Sequence, residues 1–287
     1  MLCARVLLLA LSLPLLGPTA LGAAEKGRYA GTGAQSLTIN GFSIKVFRHP
    51  RAEEDKFLDE CIAEVKDKVG KRIFSDEDHG LLILPISGAD INGSGEQDAV
   101  IEGYTGGADC CWDYGIVSLG KQPGLLAHLY NERGAAFTRM EDGRIVIETL
   151  DGRFDYFDSL SHASSVFPQV FLRLRGKQLE EVNGEFWPAY EKEISDAKRN
   201  LNKQELDRFR LNFSLKGSRD QNPYEDTRQK VLAIVLAYLY AGKPTEAWQA
   251  LKDMWPSADK TRITKANPEN TRKWSCQASG LVPISED

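Results

Sequence analysis

The chain has 287 residues, 42% of them apolar and 27% charged. That is an ordinary globular balance, which excludes collagen, low-complexity disorder and a polytopic membrane protein. Its 36 basic and 41 acidic residues leave a net charge of −5, which argues against a nucleic-acid partner, because such proteins carry a basic excess or stripe.

Residues 1–24 read as a secretory signal peptide. Arg5 is the only charge, residues 6–16 are an apolar run, and the small residues that follow offer cleavage after Gly22 or Ala24. The run is shorter than the ~20 residues that span a bilayer. The expected mature protein is therefore periplasmic or secreted, with no transmembrane segment, and its expected partner is another protein or an envelope component. The most apolar later stretch, residues 231–241, is also too short to span and reads as a buried helix.

Loss of the signal removes Cys3 and leaves Cys61, Cys110, Cys111 and Cys276. An even number in an exported chain favours disulfides. Neighbouring residues on a strand point to opposite faces, so Cys110 and Cys111 are expected to take different partners, one Cys61 and the other Cys276. A strained vicinal bridge is the alternative. The nearest histidines, His79 and His128, have no zinc-ligand spacing to the pair.

Along the mature chain, residues 25–36 form a polar lead-in. Residues 37–39 and 42–47 alternate around Asn40-Gly41, a hairpin signal. Residues 52–69 carry Leu58, Cys61, Ile62, Val65 and Val69 at helical spacing, with Gly70 as the stop. From residue 72 to 183, short apolar runs at 81–84, 99–101, 115–119, 145–148, 153–157 and 170–174 predict an antiparallel meander, with turns at Asp142-Gly143 and Asp151-Gly152. Ser75-Asp76-Glu77-Asp78 before His79 reads as a solvated acidic turn.

After Val182 the texture becomes helical. Residues 186–211 are amphipathic and residues 226–240 strongly apolar, with Gly242 closing one helix and Pro244 opening the next. This last pair resembles one tetratricopeptide-like unit, which cannot bury both faces alone. Phe186, Trp187, Tyr190, Ile194, Leu201, Leu206 and Phe209 are the expected packing residues. The predicted fold class is thus α+β: a propeller-blade-like antiparallel meander over 25–183 and a helical subdomain over 184–287.

One segment carries chemistry: Asp90-Ile91-Asn92-Gly93-Ser94-Gly95-Glu96-Gln97-Asp98. Oxygen side chains fall at loop positions 1, 3, 5 and 9, and glycine at position 6. Calcium takes several oxygen donors at about 2.3–2.6 Å, and such a loop can supply them from Asp90, Asn92, Ser94 and Asp98, with the backbone carbonyl of Glu96. An EF-hand needs an acid at position 12, which holds Ile101. The stretch 90–103, loop plus strand, resembles the FG-GAP/VCBS calcium loop of β-propeller blades. The resemblance implies a structural calcium ion. It departs at Ser94, where the pattern has Asp or Asn, which implies weak binding. Gly106-Gly107-Ala108-Asp109-Cys110-Cys111 is similar to a Gly-Gly-Ala-x-Cys-Cys signature of exported bacterial proteins and implies no activity.

Catalytic signatures are absent: no His-Glu-x-x-His, no Gly-x-Ser-x-Gly and no phosphate loop occurs. Ser159, Ser161, Ser164 and Ser165 around His162 are a chance-level cluster. The expectation is an exported, non-enzymatic, calcium-stabilised binding or structural protein. The alternative is an exported hydrolase with a site beside the ion loop.

Overall fold

A computed structural model describes residues 34–48, 61–105, 111–131, 133–212 and 224–257. The signal-peptide segment, Cys110 and Cys276 lie outside these residues. The described strands form three four-stranded antiparallel sheets, each a meander of consecutive strands. Among the described residues four helices follow them, so the class is α+β, with a helical C-terminal part.

The first sheet holds β1 (Gln35–Ile39), β2 (Phe42–Arg48), β3 (Cys61–Lys66) and β4 (Arg72–Asp78). Asn40 and Gly41 both take positive φ, 51° and 82°, as a two-residue hairpin turn with the right twist requires. The helix expected over 52–69 is corrected where it is described. Residues 61–66 are a strand, with Cys61, Ala63 and Val65 buried in alternation. Cys61 and Val65 satisfy a period of 2 as well as a spacing of four, so the pattern was ambiguous. Val69, which a helix would bury, is 87% exposed. A tight turn follows β3, in which Asp67 Oδ1 accepts the Val69 and Lys71 N–H groups.

The second sheet holds β5 (Gly80–Ile83), β6 (Asp98–Tyr104), β7 (Trp112–Ser118) and β8 (Gly124–Asn131). It is the middle layer. One face gives Ala99, Ile101, Val117 and Leu119 to a cluster with Ile44, Val46, Ala63 and Val65 of the first sheet. The other gives Val100, Tyr114 and Ile116 to the cluster that continues through the third sheet. Burial on both faces explains why β6 and β7 read as near-continuous apolar runs.

The third sheet holds β9 (Ala135–Arg139), β10 (Ile145–Leu150), β11 (Gln169–Arg175) and β12 (Gln178–Glu181). The strand expected over 153–157 is instead a pair of short 3₁₀ turns. Asp151 caps the first by accepting the Arg153 N–H. Tyr156, Asp158 and Ser159 then adopt left-handed backbone, which no strand allows.

The helices are α1 (Trp187–Arg199), α2 (Lys203–Asn212), α3 (Glu225–Tyr240) and α4 (Pro244–Met254). Gly242 at φ 73° lets the chain leave α3 and re-enter α4. α3 is buried nearly all round, through Val231, Leu232, Ile234, Val235, Leu236 and Ala237. Each such aliphatic side chain contributes roughly 1.5–3 kcal/mol. The seven expected packing residues lie in or against the same core, with Tyr190, Ile194 and Phe209 fully inside. Phe186 stacks on Phe171 of β11 at 4.0 Å, and the Tyr190 hydroxyl donates to the Gln169 carbonyl at 2.8 Å. The helices are thus packed onto the third sheet. No described helix is long and apolar enough to cross a membrane.

Candidate metal centre

The nine-residue motif sits in the connection between β5 and β6, the first two strands of the middle sheet. Backbone hydrogen bonds fix both ends of the connection. Leu84 N–H donates to the Val100 carbonyl at 2.9 Å, Asp98 N–H to Ala89 at 2.8 Å, and Leu119 N–H to Gln97 at 2.9 Å.

Inside the loop the side-chain oxygens organise the backbone. Asp90 Oδ1 accepts the Ser94 N–H at 2.9 Å and its Oδ2 accepts the Gly95 N–H at 2.7 Å. Asn92 Oδ1 also accepts the Ser94 N–H, at 3.0 Å, and Ser94 Oγ accepts the Glu96 N–H at 3.2 Å. Gly93 and Gly95, at φ 76° and 81°, allow the chain to curl around these acceptors. Asn92 Nδ2 reaches the Gly176 carbonyl in the β11–β12 turn at 3.3 Å, tying the loop to the third sheet. The Glu96 side chain turns outward, where its Oε2 accepts the Lys121 N–H at 3.0 Å.

Asp98 is the electrostatic focus. Its side chain is fully buried, and Oδ2 accepts the Ile91 N–H at 2.8 Å and the Asn92 N–H at 3.4 Å. Oδ1 is buried with no hydrogen-bond partner. Burial pushes the carboxyl up to about 6, against the pull of the two N–H donors, and the charges of Asp90 and Glu96 add to the rise. A buried carboxylate oxygen without a partner is costly, and a cation beside it removes that cost. The donor set of carboxylate, amide and hydroxyl oxygen suits a hard divalent ion.

The cysteines divide differently from the expectation. Cys61 is a free, buried thiol in the first-sheet core, so the expected bridge from Cys61 to the cysteine pair is not the one this structure holds. Its side chain is one of the inward positions of β3 and packs among aliphatic neighbours. Cys111 is disulfide-bonded, and its partner lies outside the described residues.

The serine–histidine cluster does not assemble for hydrolysis. His162 Nδ1 meets Asp155 Oδ2 at 2.8 Å, but its Nε2 faces the Arg133 guanidinium at 3.1 Å. The Ser161 and Ser164 hydroxyls bond each other at 3.0 Å.

One polar constellation has no counterpart in the sequence motifs. The expected acidic turn before His79 is corrected: residues 75–78 belong to β4, whose Phe74, Asp76 and Asp78 alternate inward. They face the middle sheet, where His128 Nε2 lies 2.9 Å from Asp113 Oδ2. No spacing rule links residues 76, 113 and 128. Only the pairing of β7 with β8, which sets Gly115 opposite His128, and the stacking of β4 on that sheet bring them together.

Comparison with family models, with curated proteins and with solved structures gives no match to this chain.

Proposed function

We propose that loop 90–98 binds calcium as a structural ion, and that the chain is an exported, non-enzymatic binding or structural protein stabilised by it. The observation that carries this reading is the buried, unpartnered Oδ1 of Asp98, in a loop whose other oxygens surround the same turn. The resemblance of residues 90–103 to the FG-GAP/VCBS loop supports the choice of calcium, and the signal-like residues 1–24 support export. The ion would brace the corner where the β5–β6 connection meets the β11–β12 turn. A partner would be another protein or an envelope component.

Two carboxylates with neutral co-ligands imply a dissociation constant of roughly 10⁻⁴–10⁻³ M, as in extracellular modules. At ~10 mM calcium, linkage then adds about 1.4–2.7 kcal/mol of stability. The experiment is thermal unfolding of the mature protein in chelator and in calcium, with magnesium as control. A calcium-specific rise that disappears in Asp90→Ala supports the reading. An unchanged midpoint in the wild type refutes it.

A further inference from the structure

We infer that Asp76, Asp113 and His128 form a second, chemically different metal site, for a divalent first-row transition ion of the zinc class, between the first and second sheets. One donor atom from each residue lies within 4.8 Å of the other two. Asp76 Oδ2, Asp113 Oδ1 and His128 Nδ1 are all buried and without a hydrogen-bond partner. Two orphaned carboxylate oxygens beside one imidazole are a cost for a fold to carry, and a cation held by Asp76, Asp113 and His128 Nε2 offsets the charge of both carboxylates at once, with His128 Nδ1 on the other side of the ring taking no part.

The fold makes room for this cluster. A Cβ on Gly115 would lie 2.6 Å from the Phe74 ring, and one on Gly103 would lie 2.8 Å from Asp78 Oδ2. Gly103 and Gly115 therefore hollow the middle sheet where β4 presses against it. Phe74 and Asp78 occupy the two hollows, and Asp76 between them is held against Asp113 and His128. Two carboxylates, those of Asp76 and Asp113, thus face the His128 imidazole.

The separations suit a small ion. Two donors on a tetrahedral ion with bonds of about 2.0 Å stand about 3.3 Å apart. His128 Nε2 and Asp113 Oδ2 stand 2.9 Å apart, so the ion needs only a slight parting of the two. An imidazole with two carboxylates favours zinc, manganese or iron over calcium and magnesium. The site borders a cavity of about 630 Å³ lined by Asp76, His128, Phe74, Leu126 and Lys177. Three protein donors leave a fourth position open, and the cavity has room for water or a small anion there, with the Lys177 ammonium on its wall.

Cobalt(II) is the probe, because its visible bands report low-coordinate nitrogen and oxygen ligation. The full chain is stripped with chelator, freed of it, and titrated with cobalt chloride, then with zinc chloride. Bands that saturate at one equivalent and are displaced by zinc are the expected result. His128→Gln and Asp113→Asn should abolish them, while His79→Gln, His162→Gln and the calcium-loop variant Asp90→Ala should retain them. Circular dichroism of each variant verifies folding, and Asp76→Asn substitutes if one of the first pair does not fold. A wild-type chain with no stoichiometric cobalt bands overturns the proposal whatever the variants do, as does a folded His128→Gln chain that keeps them. Neither result bears on calcium at loop 90–98, whose readout is the calcium-dependent melting shift.

Discussion

Arg228 on α3 and Asp158 in the second 3₁₀ turn form an ion pair sealed from water: the Arg228 Nε donates to Asp158 Oδ2 at 3.1 Å, and the two side chains are 0% and 1% exposed. The pair joins the helical part to the segment between β10 and β11. Asp158 sits at φ 54° between two other left-handed residues, Tyr156 and Ser159 across the turn. Such backbone costs about 1–3 kcal/mol per residue when nothing holds it. Removing one partner of a buried pair leaves the other charge uncompensated. Arg228→Met should therefore destabilise the protein by about 3–5 kcal/mol in urea unfolding. The double variant with Asp158→Asn should be less unstable than the sum of the single effects. Strict additivity would show that the two residues are not coupled.

Asp98→Asn should change sign with calcium. In chelator at neutral pH it removes a buried charge whose Oδ1 has no partner, while an amide oxygen can still accept the Ile91 N–H. The variant should melt at or above the wild-type temperature. In ~10 mM calcium, above the expected dissociation range, the wild type gains stability that the variant lacks, and the order should reverse. Paired melting curves decide it, and a variant that is less stable under both conditions by the same amount sinks the ion-ligand role of Asp98.

Two glutamates set a pH dependence of opposite sense to ordinary acid denaturation. Burial pushes Glu193 on α1 up to about 7. Burial also pushes Glu181 on β12 to about 7 against the opposing charge of Arg153, and Glu181 Oε2 is buried without a hydrogen-bond partner. The folded state therefore holds these protons more tightly than the unfolded chain, where glutamate titrates near 4.5. Their stability is fully present below about 4.5 and is lost as pH rises towards about 7. Glu193→Gln should raise the melting temperature above pH 7, with the gain shrinking steadily as pH falls to 4.5. A gain that is the same at every pH would assign the effect to packing.

The Cys61 thiol should be silent in the native protein and reactive once unfolded. It is 8% exposed and lies in the apolar cluster of the first sheet. Titration with a thiol reagent under non-reducing conditions should show no Cys61 reaction before denaturant and one afterwards. Cys61→Ala should remove that signal. Its survival in the variant would place the reactive thiol elsewhere.

By itself, the sequence determined the features whose causes are local. Asn40-Gly41 specifies a hairpin because its two positive φ values suit few other pairs. The apolar run of α3 and the Gly242–Pro244 break specify a helical pair. The oxygen spacing from Asp90 to Asp98 specifies a loop that folds on its own side chains, so the candidate calcium centre is legible in the order of residues alone. The tertiary structure decided whatever depends on which faces meet. Cys61 and Val65 fit two periods, and only pairing of β3 with β2 and β4 made them a strand. The inward positions of β4 include Asp76 and Asp78, which apolar alternation marks as a solvated turn. Their neighbours Asp113 and His128 come from another sheet, across Gly103 and Gly115, and hydrophobic patterning carries no information about where acidic residues find each other. Long-range stacking of the sheets, which local sequence cannot encode, is what sets that cluster.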